Sequence, residues 1–157
     1  FLASNKGYLK NETNFSTKGI GKDENNPIQE FEVEIILDKI YVEKEVLIPI
    51  LYDFDKSDIR ADAQPILKDL ARMLQLNPSR RIELSSHTDV RGSDAYNRVL
   101  AEKRAESAKD YIVKKGISVT RIKAVGYGED RLKNKCKLCS ESDHQENRRT
   151  EFIIVKM

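Results

Sequence analysis

The stretch SSHTDVRGSDAYNRVLAEKRAES, Ser85–Ser107, changes period within a few residues. Its start continues RIELSS, in which Ile82 and Leu84 alternate with polar neighbours as on a half-buried strand. DVRG (Asp89 to Gly92) reads as a turn. From about Asp94 to Lys115 the pattern is helical, and Gly116 is a natural C-terminal stop. At about 100° per residue, Asn97, Leu100, Ala101, Arg104, Ala108, Tyr111 and Ile112 share one side of that helix. Arg98, Glu102, Lys103, Glu106, Lys109 and Asp110 share the other, a solvated face. Arg104 is thus a cation in the middle of the side built for a core. A guanidinium keeps its charge at ordinary pH, so burying it demands an anionic partner. Either an internal carboxylate supplies it, or a ligand carboxylate does, gripped in a bidentate fork. Asp89, at the strand end, is by itself a turn or cap residue. Taken with Arg104, it offers a carboxylate and a guanidinium to one cavity. That pair is complementary to an ammonium and a carboxylate on one carbon, the end group of an amino acid.

Outward from this segment, strands and helices alternate. Val46 to Asp55 (VLIPILYDFD) reads as a strand whose Pro49 cannot donate to a ladder and so belongs at an edge or a bulge. Ala63, Ile66, Leu67, Leu70, Ala71 and Leu74 form one helical stripe, with Pro65 in its first turn and Asn77–Pro78 as its end. RIKAVGYG and TEFIIVKM are two further strands, expected to pair locally, with a long loop between them. The expected fold is α+β: two layers, a mixed sheet with helices packed on one face. Phe31 to Leu37 (FEVEIIL) reads as another strand, and residues 1–29 as turns and short extended pieces. The main boundary falls near Lys39 to Lys44. Residues 1–44 are then an N-terminal extension with some β structure, a linker or the end of an upstream domain, and 45–157 form the principal domain.

Composition bounds the function. The 157 residues are 39% hydrophobic and 34% charged, enough apolar material for a sizeable core. A net charge of +2 implies no strong pull on nucleic acid. Apolar runs such as VLIPILY are too short to span a bilayer, so this segment is not expected to insert into a membrane. With no basic stretch leading into an apolar one at its start, the chain reads as a soluble piece of something longer. No cofactor is expected.

Four separated blocks carry a family resemblance: YDFDKSDIRADA, IELSSHTDVRGSDAYNRVLAEKRAESAKDYIVKKGI, RIKAVGYGE and NRRTEF. In order and spacing they resemble the OmpA-like peptidoglycan-binding domain, over residues from about 45 to 157. The resemblance implies an α+β fold without catalytic activity. It implies a domain that holds the stem peptide of peptidoglycan by its meso-diaminopimelate residue, at the periplasmic face of the outer membrane. Asp89 would then take the diaminopimelate ammonium and Arg104 its carboxylate. Asn97 would stand beside the site, Arg148 is similar to the first arginine of the family's NRR ending, and Asp53, Phe54 and Asp55 resemble the loop that contacts the peptide. Where the family often has glycine, Ser86 stands here before His87.

The loop before NRR, NKCKLCSESDHQENRRTEF, resembles a subgroup with a cysteine-bearing loop. Cys136 and Cys139 form a lone C-x-x-C. A disulfide pinning the loop is the leading reading, with free thiols or a metal site including His144 as the others. Ser85, Ser86, His87 and Asp89 are too close along one strand to converge as a catalytic triad, so His87 is expected to be structural, hydrogen-bonded to its neighbours. Two other functions remain in view. One is a structural or partner-binding domain with a vestigial pocket, and the other is a cell-wall hydrolase, for which no nucleophile or zinc set is recognisable.

Overall fold

The computed structural model describes residues 49–155 and, ahead of them, two short antiparallel strands, β1 (Leu2–Ala3) and β2 (Asn11–Glu12). The expected strand at 31–37 and the boundary at 39–44 lie outside the described residues. Two compact units divide the chain, Phe1–Ile40 and Tyr41–Met157.

In the second unit β3 (Ile50–Leu51), β4 (Arg81–Ser86), β5 (Ile122–Gly126) and β6 (Arg149–Val155) form one mixed sheet in the order β3-β6-β4-β5. The β4–β5 pair is parallel, and β6 is antiparallel to both β4 and β3. The last two strands therefore do not pair with each other, contrary to the expectation of local pairing. A long helical crossover joins β4 to β5 and makes them parallel neighbours. The free side of β4 is left for β6. Pro49 precedes β3 at the sheet edge, where its missing N–H costs no ladder bond. The expected strand at 46–55 yields only two strand residues among those described, because the chain turns after Tyr52. Lys56 N donates to Asp53 O across 3.3 Å, and Asp55 adopts φ 57°.

Register and period two place Ile82, Leu84, Phe152 and Ile122 on one face, all buried. Glu83, Lys123, Arg149 and Glu151 lie on the other, joined by the ion pairs Glu83–Lys123 and Arg149–Glu151. On the apolar face pack α1 (Gln64–Leu76) and α2 (Asp94–Lys114). Leu67, Leu70, Ala71 and Leu74 form the buried stripe of α1, and both N and Nδ2 of Asn77 donate to Met73 O to close its end. Ser93 caps α2 by accepting from Tyr96 N. Alanines 101, 105 and 108 bring α2 close to the sheet. The approach is closest at Gly126, where a Cβ would lie 2.3 Å from Glu102 N, so only glycine fits.

The long loop before β6 holds a helix that the sequence reading did not expect, α3 (Glu141–Asn147). Its signal is the capping box of Ser140 with Asp143. With seven residues and one buried position, α3 has too little apolar periodicity to stand out.

Candidate functional site

Arg104 is fully buried, the largest such side chain among the described residues. Among the described residues no carboxylate pairs with it. Its Nε donates to Lys56 O (2.8 Å), Nη1 to His87 O (3.2 Å) and Nη2 to Asp53 O (3.0 Å). The turn at Asp53–Lys56 and the end of β4 thus supply carbonyl dipoles rather than a counter-charge. Burial pulls the Arg104 pKa down to about 10, so it remains a cation at neutral pH. Beneath it Tyr52 is buried too, its ring centroid 5.0 Å from the guanidinium carbon and its hydroxyl donating to Arg104 O.

Asp89 is only 3% exposed. Its Oδ1 accepts from Arg91 N (3.0 Å), and its Oδ2 from Arg91 Nη2 (2.6 Å) and Arg148 Nη1 (2.8 Å). Burial alone would raise its pKa, but the hydrogen bonds from Arg91 and Arg148 outweigh it and hold the carboxyl at about 2. Arg148 is itself buried and is fixed by α3 through Glu141 Oε1 (2.8 Å) and Gln145 Oε1 (2.7 Å). Arg91, about one third exposed, also reaches Glu141 and lies over the Phe54 ring at 4.3 Å.

Arg104, Asp89, Arg148, Arg91 and Phe54 line a small cleft open to solvent, together with Asp55, Thr88, Tyr96, Asn97 and Leu100. Six of the seven residues expected at the site meet there: Phe54, Asp55, Asp89, Asn97, Arg104 and Arg148. Asp53 is not in the lining. Its carbonyl holds Arg104 and its carboxylate pairs with Arg60 (2.8 Å). Asn97 Nδ2 donates to Asp89 O (3.3 Å) and Glu129 Oε2 (2.5 Å), tying α2 to the turn. Phe54, over half exposed, is part of the rim, and Asp55 accepts from the Tyr96 hydroxyl. Thr88, Arg91, Tyr96 and Leu100 were missed. Helical spacing could have found the last two, since Tyr96 is adjacent to Asn97 and Leu100 lies one turn before Arg104.

His87, expected to be a structural histidine hydrogen-bonded to its neighbours, is buried. It stacks on Tyr127, with centroids 5.6 Å apart, and its Nδ1 has no hydrogen-bond partner among the described residues. Burial, aided by Arg149, lowers its pKa to about 4. Ser85 donates to Glu83 and Ser86 pairs with Thr150. The triad constellation is therefore not assembled. His144 Nδ1 lies 3.9 Å from Asp89 Oδ2. Cys136 and Cys139 are joined as a disulfide, and main-chain N–H groups of Lys133 and Asn134 anchor the loop on Asn147 Oδ1.

Comparison with known proteins places this architecture. The segment is similar to photosystem I P700 chlorophyll a apoprotein A2 of Gloeobacter violaceus, 40% identical over 109 residues, which is 67% of this chain and 12% of that protein. It is similar to outer membrane porin F of Pseudomonas fluorescens, 41% identical over 86 residues, 55% of this chain and 26% of the porin. The chain thus spans a minor part of each of these two relatives. Its structure resembles the crystal structure of the peptidoglycan-associated lipoprotein from Burkholderia pseudomallei, with a TM-score of 0.64 and 27% identity. The match covers 68% of this chain and 89% of that one. The OmpA family model matches residues 51–148, which include the whole turn from β3, β4, α2, β5 and α3. The chain belongs to the OmpA family.

Proposed function

We propose that this chain binds peptidoglycan non-covalently, takes the diaminopimelate residue of the stem peptide into the cleft, and so tethers an envelope protein to the cell wall. The observation that carries the reading is Arg104: a buried cation in the cleft, surrounded by carbonyls and with no carboxylate partner among the described residues. Diaminopimelate ends in a carbon bearing both an ammonium and a carboxylate. The carboxylate goes to Arg104 and the ammonium to Asp89, where it displaces Arg91 from Oδ2. Arg148 keeps Asp89 in place during the exchange, and Phe54 and Asp55 contact the peptide from the rim. The names of the porin and lipoprotein relatives support a place in the cell envelope, and binding the wall would put this domain on the periplasmic face of the outer membrane. The reading is one of binding and not of catalysis. Residues 1–44 serve in it as a linker or the end of an upstream domain.

Co-sedimentation with purified peptidoglycan tests it. The wild type pellets with the wall, and folded Arg104→Lys, which keeps a charge but loses the fork, binds about ten- to a hundredfold more weakly. Wild-type protein that stays in the supernatant overturns the reading.

A further inference from the structure

We infer that Thr88 is a specificity-determining contact whose hydroxyl donates to the ligand carboxylate attracted by Arg104. The inference rests on the peptidoglycan reading and adds a residue to it. Thr88 lines the cleft and is 2% exposed, yet its Oγ1 has no hydrogen-bond partner among the described residues. A buried hydroxyl without a partner is costly, and native proteins keep few of them. The main chain holds it in place, because Thr88 N donates to Gly128 O at 2.9 Å. Along the chain it stands between the two charged ends of the site. His87 O, one residue before, accepts from Arg104, and Asp89 is the residue after.

Donor arithmetic gives the hydroxyl its role. A guanidinium has five N–H groups. Three of those on Arg104 serve Lys56, His87 and Asp53, so two remain for a ligand. A carboxylate offers about four lone-pair sites, and two N–H bonds leave it half satisfied. The Thr88 hydroxyl is a further donor within the same cleft. Arg91, which lines the same cleft, is bound to Asp89, and in the proposed complex the ligand ammonium competes with it there.

The test is calorimetry on Thr88→Val and Thr88→Ser with a stem tripeptide ending in meso-diaminopimelate, together with thermal unfolding of the ligand-free proteins. Valine keeps the shape and removes the hydroxyl. Its variant is expected to bind about tenfold more weakly, as fits the loss of a hydrogen bond to a charged group. Its Tm is expected to rise, because an unsatisfied polar atom has been removed. The serine variant retains the affinity. On the matched lysine tripeptide, followed by NMR titration, the valine penalty disappears because no carboxylate is there to receive the bond. Unchanged affinity in Thr88→Val, or a lowered Tm, overturns the assignment while leaving the peptidoglycan reading intact. A penalty that persists on the lysine peptide assigns the hydroxyl to the ammonium instead and also overturns it. Failure of the wild type to bind overturns both, and is told apart because the defect does not depend on the variant.

Discussion

Asp89 Oδ2 and Arg148 Nη1 lie 2.8 Å apart, and each side chain is 3% exposed. The pair joins the end of β4 to the end of α3, so the carboxylate proposed to meet the ligand is also part of the frame. Asp89→Ala leaves a buried guanidinium short of its counter-charge, a loss that typically costs about 3–5 kcal/mol. Glu141 and Gln145 still hold Arg148, so the lower end, about 3 kcal/mol, is expected. Arg91→Ala removes a partly exposed partner and should cost under about 1 kcal/mol. Urea unfolding of the two variants distinguishes them. Equal, small losses would show that the buried pair contributes nothing special.

Acid should weaken the fold in two stages. His87 takes its proton at about 4 when folded, against 6.5 ordinarily. Between those values the unfolded chain binds the proton and the folded one does not, so stability falls as pH drops from about 6.5 to 4, by about 3 kcal/mol. Asp89 titrates at about 2 when folded, against 3.8 ordinarily. Its contribution is complete above the unfolded value and is lost as pH falls toward 2, a further loss of about 2 kcal/mol. Unfolding midpoints measured across pH should show both stages. His87→Phe, which keeps a ring to stack on Tyr127, should flatten the upper one; an unchanged slope there would contradict the assignment to His87.

Opening the Cys136–Cys139 disulfide should act locally. The bridge closes a short, exposed loop just ahead of Ser140, the cap of α3. Hydrogen exchange at the α3 amides should quicken in Cys136→Ser/Cys139→Ser, while the global Tm changes little. Because α3 carries Glu141 and Gln145 to Arg148, wall binding should weaken a few-fold. A large drop in Tm would mean that the loop belongs to the core.

The parts of this fold written in strong periodicity were legible in the sequence. The stripe of α1, the α2 face with its buried arginine, and the alternation of Ile82 and Leu84 all reappear as buried faces. Topology was not legible, because nothing local in TEFIIVKM says that it pairs with β3 and β4 and not with β5. For α3 the signal was a cap rather than a stripe. At the site, Arg104 was conspicuous as a charge on an apolar face, but its partners are main-chain carbonyls contributed by one turn and the end of β4. Such partners have no side-chain signature. The same holds for Thr88 and Asp53, whose roles depend on a missing hydrogen bond and on a carbonyl direction.

The central claim is that Arg104 receives a ligand carboxylate, and calorimetry with stem peptides differing only at their third residue tests it most directly. Diaminopimelate offers an ammonium and a carboxylate on one carbon, whereas lysine offers the ammonium alone and leaves Arg104 without its anion. A site with an unmatched buried polar group can reject an analogue by about 10⁴-fold, and water entering this solvent-accessible cleft reduces the expected preference to about 10²-fold. A preference of that size for the diaminopimelate peptide is the predicted result. Equal affinity for the two peptides would contradict the account and make Arg104 a structural residue held by its three carbonyls.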